Sequence, residues 1–318
     1  MISRYSILYK QELNTAANWH FSPWDVFISA FNSSDRVRDV YSKAPARHKF
    51  WMIHSEYGYA EQELPEGNCY VSDDRSEAAY ISGLVSHVEG TTGRSIDTLS
   101  ICVDITGFMR PHLVFLPFYL KTKGVKKYDV LYSEPKYYAK KEQTVFSEGT
   151  IVVRQIEGFE GVNSTDQTND FLVVGSGYDH RLIKAVAENK DKADKVQIFG
   201  LPSLRADMYQ ENVMRAGRAS DAIGANKSFD RESFFAPAND PFITAEVVSE
   251  IVRLRKKLGP ISNLYLSPLA TKPQALGFAL FYLSECIGTT TSILFPVSSK
   301  YARETSVGLQ RVWQYTVE

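Results

Sequence analysis

Two short segments place hydroxyl and cationic side chains just ahead of a proline: Thr106-Gly107-Phe108-Met109-Arg110-Pro111 and Leu269-Ala270-Thr271-Lys272-Pro273. Proline suits the first turn of a helix, where its missing N–H has no partner to lose, so each segment reads as a loop feeding a helix that opens on Pro. A guanidinium or ammonium at a helix amino terminus opposes the macrodipole. An anion lying between cation and helix reverses that penalty, which makes Arg110 and Lys272 candidate phosphate contacts, with Thr106 and Thr271 as hydroxyl partners. The alternative is that both cations extend into solvent or pair with a carboxylate such as Asp104.

Two further loops have the small residues that let backbone N–H groups approach an anion. One holds Ser29 and Asn32 with Ser33 and Ser34; the other is Gly175-Ser176-Gly177-Tyr178-Asp179. Plain helix capping by Ser, Asn or Asp is the competing reading. Glu56, Asp104 and Asp179 are the candidate acid/base or polarising groups, Glu56 standing two residues after His54. Tyr137 and Tyr301 could stack on a base or simply pack over a strand end. Asp73, Asp74 and Asp240 read as helix caps rather than ligands. His20, His48, His87, His112 and His180 show no HxH or HExxH spacing, and Cys69, Cys102 and Cys286 form no CxxC pair, so no metal site and no cofactor is expected and the cysteines read as reduced core thiols.

The elements that must carry these loops follow from periodicity. Short runs rich in β-branched and aromatic residues alternate with helical patterns, the arrangement of βαβ units and a parallel sheet. Strands are expected at 25–31, 50–54, 99–105, 128–132 and 150–156, and helices at 33–43, 76–88 and 111–121. The order then restarts with a strand at 171–175, a helix at 181–188 and a strand at 196–199.

The restart is a repeat. Asp25 to Ser29 matches Asp170 to Val174 at a shift of 145 (170 − 25), which also places Arg36 over Arg181. Asp74 falls over Asp240 at 166, Arg110-Pro111 over Lys272-Pro273 at 162, and Tyr137 over Tyr301 at 164. Blocks that recur in one order, with shifts changing only where loops lengthen, indicate an internal duplication. The expected fold is therefore α/β, with two tandem Rossmann-like lobes, 1–160 and 161–318, whose mainly parallel sheets are related by a pseudo-two-fold axis. The jump in shift locates an insertion in the second copy at about 201–235, expected as a helix and loop over one edge or face. The polar, turn-rich stretch 158–169 reads as the linker.

Composition narrows the partners. A hydrophobic content of 44% supplies real cores, and a net charge of −1 gives no global pull toward nucleic acid or an anionic membrane, although nucleic acid is not excluded. The amino terminus lacks an apolar signal region, and the longest apolar stretch, Leu113 to Leu120, falls short of the roughly 20 residues that span a bilayer. A soluble, cytoplasmic protein is expected.

The step Thr271-Lys272-Pro273, at the start of a helix after a late strand, resembles the CARF family, the cyclic-oligonucleotide sensors of prokaryotic defence. The tandem arrangement resembles the related SAVED proteins, which fuse two such lobes. Copy one departs from the pattern, with Arg110-Pro111 in place of the Thr-Lys step. The resemblance implies a nucleotide-responsive sensor in antiviral defence or signalling. Its ligand would lie at the strand carboxyl ends between the lobes, against Ser29, Asn32, Thr106, Arg110, Gly175, Ser176, Gly177, Thr271 and Lys272. No effector domain remains once both lobes are counted, so a separate effector protein is the expected partner. The alternative is an enzyme hydrolysing or transferring a nucleotide or nucleoside at the same cleft through Glu56, Asp104 or Asp179; a scaffold with no small ligand is a third.

Overall fold

The computed structural model describes residues 5, 9–15, 19, 22–138, 147–205, 208–224, 233–301 and 306–318. The first half runs β1 (Tyr9–Leu13), β2 (Trp24–Ala30), α1 (Asp35–Lys43), β3 (Ala46–Ile53), β4 (Asn68–Val71), α2 (Glu77–Thr92), β5 (Ile101–Asp104), α3 (Arg110–Thr122), β6 (Tyr128–Tyr138) and β7 (Ser147–Gln155). The second runs β8 (Phe171–Gly175), α4 (His180–Asn189), β9 (Asp194–Gly200), α5 (Met208–Gly217), α6 (Ser220–Ile223), β10 (Ser233–Ala236), α7 (Pro241–Leu258), β11 (Leu264–Pro268), α8 (Lys272–Glu285), β12 (Thr291–Tyr301) and β13 (Ser306–Val317).

These elements build two α/β sheets, one of seven strands in the order β1-β13-β6-β5-β2-β3-β4 and one of six in the order β10-β9-β8-β11-β12-β7. The central strands are parallel to their neighbours, β4 through β6 in one sheet and β10 through β12 in the other. Strands such as β8, whose residues Phe171 to Gly175 are all buried, lie in a sheet covered on both faces, which is why they read as unbroken apolar runs rather than alternating ones. No described helix is long and apolar enough to cross a membrane.

The duplication is visible in the strand orders, because β13-β6-β5-β2-β3-β4 corresponds strand for strand to β7-β12-β11-β8-β9-β10. Register refines the matched blocks. Val26 pairs with Ile101 and Phe171 with Leu264, so the shift is 163 in these strands (264 − 101) but 162 at the helix starts (272 − 110): the second βα loop is one residue shorter. The next strands also begin 163 apart (291 − 128), which puts Tyr138, not Tyr137, over Tyr301. The helix N-caps Ser76 and Asp240 are 164 apart, so Asp240 matches Ser76 rather than Asp74. Asp74 instead accepts the Ser76 N–H at 2.9 Å.

The chain divides into two compact units, a first of Leu8–Glu148 with Lys300–Glu318 and a second of Met1–Ile7 with Gly149–Ser299. This differs from a cut at residue 160. The cause is the last strand of each half: β7 is hydrogen-bonded beside β12 in the six-stranded sheet, while β13 lies antiparallel along β6 in the seven-stranded one, paired from Tyr128↔Val317 to Tyr138↔Ser306 with a register shift between Leu309 and Arg311. Periodicity reveals a strand but not its partner. The strands β1, β4, β10 and β13 were not expected from sequence; β4 and β10 have four residues each, too few for a pattern to stand out.

The pairing of β13 is anchored by side chains. Trp313 Nε1 donates to Glu134 Oε1 at 2.7 Å, Thr316 Oγ1 donates to Asp129 Oδ1 at 2.6 Å, and Tyr315 is fully buried. Truncating a fully buried large aromatic costs about 3–5 kcal/mol. Tyr315→Ala is therefore expected to lower the unfolding midpoint of the first unit in urea while leaving the transition of the second in place.

Candidate functional site

In open parallel sheets the loops that follow the strand carboxyl ends form the binding edge. In the first unit that edge rests on a buried polar knot. Ser29 Oγ, at the end of β2, donates to Asp104 Oδ2 at 2.9 Å; the other Asp104 oxygen accepts the Thr106 N–H at 3.0 Å and the Thr106 hydroxyl at 2.5 Å. Thr106 Oγ1 also lies 3.0 Å from Ser133 Oγ on β6, and Arg36 of α1 donates to the Ser133 carbonyl. Ser29, Asp104, Thr106 and Ser133 have no exposed surface. Burial pushes the Asp104 carboxyl above its ordinary range, and the hydrogen bonds from Thr106 and Ser29 and the charge of Arg36 only partly offset it. These groups satisfy one another and tie β2, β5, β6 and α1 together. Ser29 and Thr106 do not present oxygens to a ligand, and Asp104 is not placed for acid/base chemistry on one, because a side chain without exposed surface meets no substrate.

Asn32 is also committed locally: its Oδ1 accepts the Ser34 N–H at 3.0 Å and the Ser34 hydroxyl at 2.5 Å, setting the turn into α1. Above the knot the chain turns at Gly107, where a Cβ would stand 1.8 Å from the Ala30 carbonyl oxygen, so only glycine permits this approach. Tyr57 Oη donates to the Gly107 carbonyl at 3.3 Å. His54 Nε2 accepts the Met109 N–H at 3.1 Å, and its ring stacks on Tyr80 with 5.6 Å between centroids. Arg110 follows as the first residue of α3, with Pro111 second, so the cation and not the proline opens the helix. Arg110 and Glu56 are both half-buried and both act on Tyr57. Burial drives the Tyr57 hydroxyl upward, Tyr59 and Glu56 add to the rise, and Arg110 opposes it. The group that reaches solvent at this edge is thus Arg110, Glu56, Tyr57 and Tyr59.

The corresponding edge of the second unit is built from the same parts. Gly175 ends β8, and the Ser176 hydroxyl, fully buried, donates to Gln197 Oε1 at 2.7 Å. A Cβ on Gly177 would lie 2.1 Å from the Leu269 carbonyl oxygen, so the corresponding two loops also meet here, with the glycine on the opposite loop from that in the first unit. Thr271 caps α8, accepting the Gln274 N–H at 3.4 Å and donating to the Ala238 carbonyl, so its hydroxyl is spent on the fold. Lys272, half-buried, is the first helical residue and Pro273 the second, as in α3. Asp179 caps α4 through the Arg181 N–H at 3.1 Å, which is the capping reading of that residue.

The insertion accounts for the main asymmetry. Its helix α5 lies across the first loop of this edge: Asn212 Nδ2 donates to the Ser176 carbonyl at 3.0 Å, and Tyr178 Oη donates to the Met208 carbonyl at 3.0 Å. Arg215, largely buried, pairs with Glu211 at 2.7 Å and sits over the Tyr178 ring at 5.3 Å. The backbone of Gly175-Ser176-Gly177 is therefore covered by protein. Asn212, Arg215 and Tyr59 were missed by sequence reasoning, which named Tyr57 only within the segment Glu56-Tyr57-Gly58; the one available signal was the spacing of Glu211, Asn212 and Arg215 on a single helical stretch. The region 139–146, 206–207, 225–232 and 302–305 lies outside the described residues. Among the described residues, no group of three or more His, Cys, Asp or Glu is placed to hold a metal ion.

The two glycine contacts generate a paired prediction. Each opposes a backbone carbonyl, which cannot swing aside as a side-chain end could, so a methyl group must displace the loop at a cost of about 1–3 kcal/mol. Gly107→Ala and Gly177→Ala should each lower the melting temperature, and hydrogen exchange should speed up at 105–109 in one variant and at 175–178 in the other.

No family model matches the chain, and no curated protein matches it. Among solved structures, CobK precorrin-6A reductase is similar at 10% identity over 88% of this chain and 90% of that one, with a TM-score of 0.26. An N-terminal ketoreductase from a macrolactin assembly line is similar at 10% identity over 89% and 72%, with a TM-score of 0.24.

Proposed function

We propose that this chain is a nucleotide-responsive binding protein, of the kind used in prokaryotic defence or signalling, which holds ligand phosphates at the carboxyl ends of its parallel strands. The observation that carries this reading is the matched placement of Arg110 and Lys272. Each is half-buried, each is the first residue of a long helix, and each is followed by proline at the second position. A cation there is disfavoured by the macrodipole unless an anion shares the site, and the same placement occurs in both units. Beside Arg110, the half-buried rings of Tyr57 and Tyr59, with centroids 6.0 Å apart, offer an aromatic surface for a base.

Binding without turnover is the form of activity that the carboxylates favour. Asp104 is sealed in the knot and half-buried Asp179, at the edge of the second unit, is engaged as a cap, which leaves Glu56 as the candidate acid beside Arg110. A separate effector protein would read the bound state. Cations dominate this reading, so affinity should fall as salt rises, because exposed charge interactions are screened over a Debye length of about 10 Å at 0.1 M.

Thermal shift and calorimetry with a panel of cyclic and linear nucleotides test it. Loss of one charge-assisted phosphate contact is worth about 1.5–3 kcal/mol, so Arg110→Ala or Lys272→Ala should weaken binding by roughly tenfold or more. The nucleotide should be recovered unchanged after incubation. A panel with no stabilising nucleotide, or binding indifferent to both substitutions, would overturn the proposal.

A further inference from the structure

A cavity lies in the second unit at the end of its sheet opposite Lys272, where β8 and β9 begin and the helices α4 and α7 end. Its volume is about 990 Å³, at the upper end of the roughly 300–1,000 Å³ found for pockets that take drug-sized ligands. Arg255, near the end of α7, lines it. Arg255 is 7% exposed, yet the five N–H donors of its guanidinium are poorly served: Nη1 reaches the Gly259 carbonyl at 3.4 Å, the ion pair with Asp194 is long, 3.9 Å from Nε to Oδ2, and Nε has no hydrogen-bond partner. A buried arginine in this state is costly, and an oxyanion entering the cavity would supply the missing acceptors in bidentate form.

The remaining walls say what else the ligand carries. The lining cations are Lys184, Lys192, Lys195 and Arg255, against the carboxylates of Asp170, Glu188, Asp191, Asp194 and Asp221. Several are already engaged: Lys184 with Glu188 at 3.6 Å, Asp170 with Asn263 and Tyr265, and buried Lys195 with the Asp191 and Ala193 carbonyls. The exposed rim is left with Asp191 and Asp221 against the single cation Lys192, and the carboxyl ends of two helices add their negative dipole ends. That field repels a polyanion and attracts an ammonium. The apolar part of the lining includes Ala187, Ala222, Ile223 and Leu258, the last an apolar side chain left 61% exposed.

We propose that this cavity binds a short peptide zwitterion with aliphatic side chains, its terminal carboxylate on Arg255, its terminal ammonium on the rim of Asp191 and Asp221, and its side chains over Leu258 and Ile223. The site is separate from Arg110 and Lys272 and does not depend on the nucleotide reading.

The tripeptide Leu-Ala-Leu is a suitable probe, titrated into the full chain by calorimetry beside its C-terminal amide and its N-acetyl form. The free tripeptide should bind in the millimolar range or tighter, the amide about tenfold more weakly for the lost charge-assisted contact, and the acetylated form more weakly than the free peptide. Arg255→Gln should abolish the distinction between free peptide and amide. Asp221→Asn, at an exposed position, should weaken the distinction between free and acetylated peptide even if the arginine variant fails to fold. Arg110→Ala should change none of these values. No binding of the free tripeptide, equal binding of all three forms, or full discrimination in a folded Asp221→Asn variant would overturn the proposal.

Discussion

The ladder between β6 and β13 is the constraint on which the first unit rests. A parallel sheet built from βαβ units ends in strands whose outer N–H and C=O groups lack partners, and the far end of the chain supplies them here, from Ser306 to Val317 along Tyr128 to Tyr138. Strand β1 then pairs on the outside of β13, so three antiparallel strands finish a sheet whose remainder is parallel. In the six-stranded sheet β7 occupies the place that β13 holds in the other. Contacts between residues so distant in sequence close large loops, but closure entropy grows only logarithmically with length and is offset by the burial of Tyr315 and Val312.

Inward from that ladder, Ser133 on β6 joins the knot of Ser29, Asp104, Thr106 and Arg36. Burying a carboxylate is expensive, and the fold compensates with three hydrogen bonds and a nearby guanidinium rather than by opening the site to water. The arrangement fixes where β2 and β5 stop. That, with the glycine-only approach of Gly107 to Ala30, sets the turn from which Arg110 emerges.

The two copies have kept this geometry while diverging in its chemistry. Arg36 is buried against the Ser133 carbonyl, whereas its counterpart Arg181 is exposed and reaches the Gly149 carbonyl at 3.1 Å. At the β5 end Asp104 aligns by register with Ser267, whose hydroxyl donates to the Leu294 carbonyl at 3.1 Å, so a charged knot in one copy is a single neutral hydrogen bond in the other. The first helix start is served by the His54 ring and the second by the Thr271 hydroxyl. Over the second copy the insertion adds α5, which covers the first loop with Asn212 and Arg215. Duplication preserved the backbone route, and substitution gave the two edges different accessible surfaces.

The sequence by itself determined the α/β class, the repeat and most element positions, because buried parallel strands and their helices leave strong local patterns: β8 falls at 171–175 as read, and the helix starts at Arg110 and Lys272 are offset as the repeat requires. It also located Arg110 and Lys272 at equivalent helix starts, since a proline beside a cation is a local signal. Which candidates face solvent was decided only by tertiary structure. Ser29, Asp104 and Thr106 look like ligand groups in a one-dimensional reading, and only the convergence of three strands turns them inward upon one another. The same holds for the unit boundary and for Arg215 over Tyr178: strand partners and the path of an insertion are set by long-range packing and hydrogen-bond register, which no local periodicity encodes.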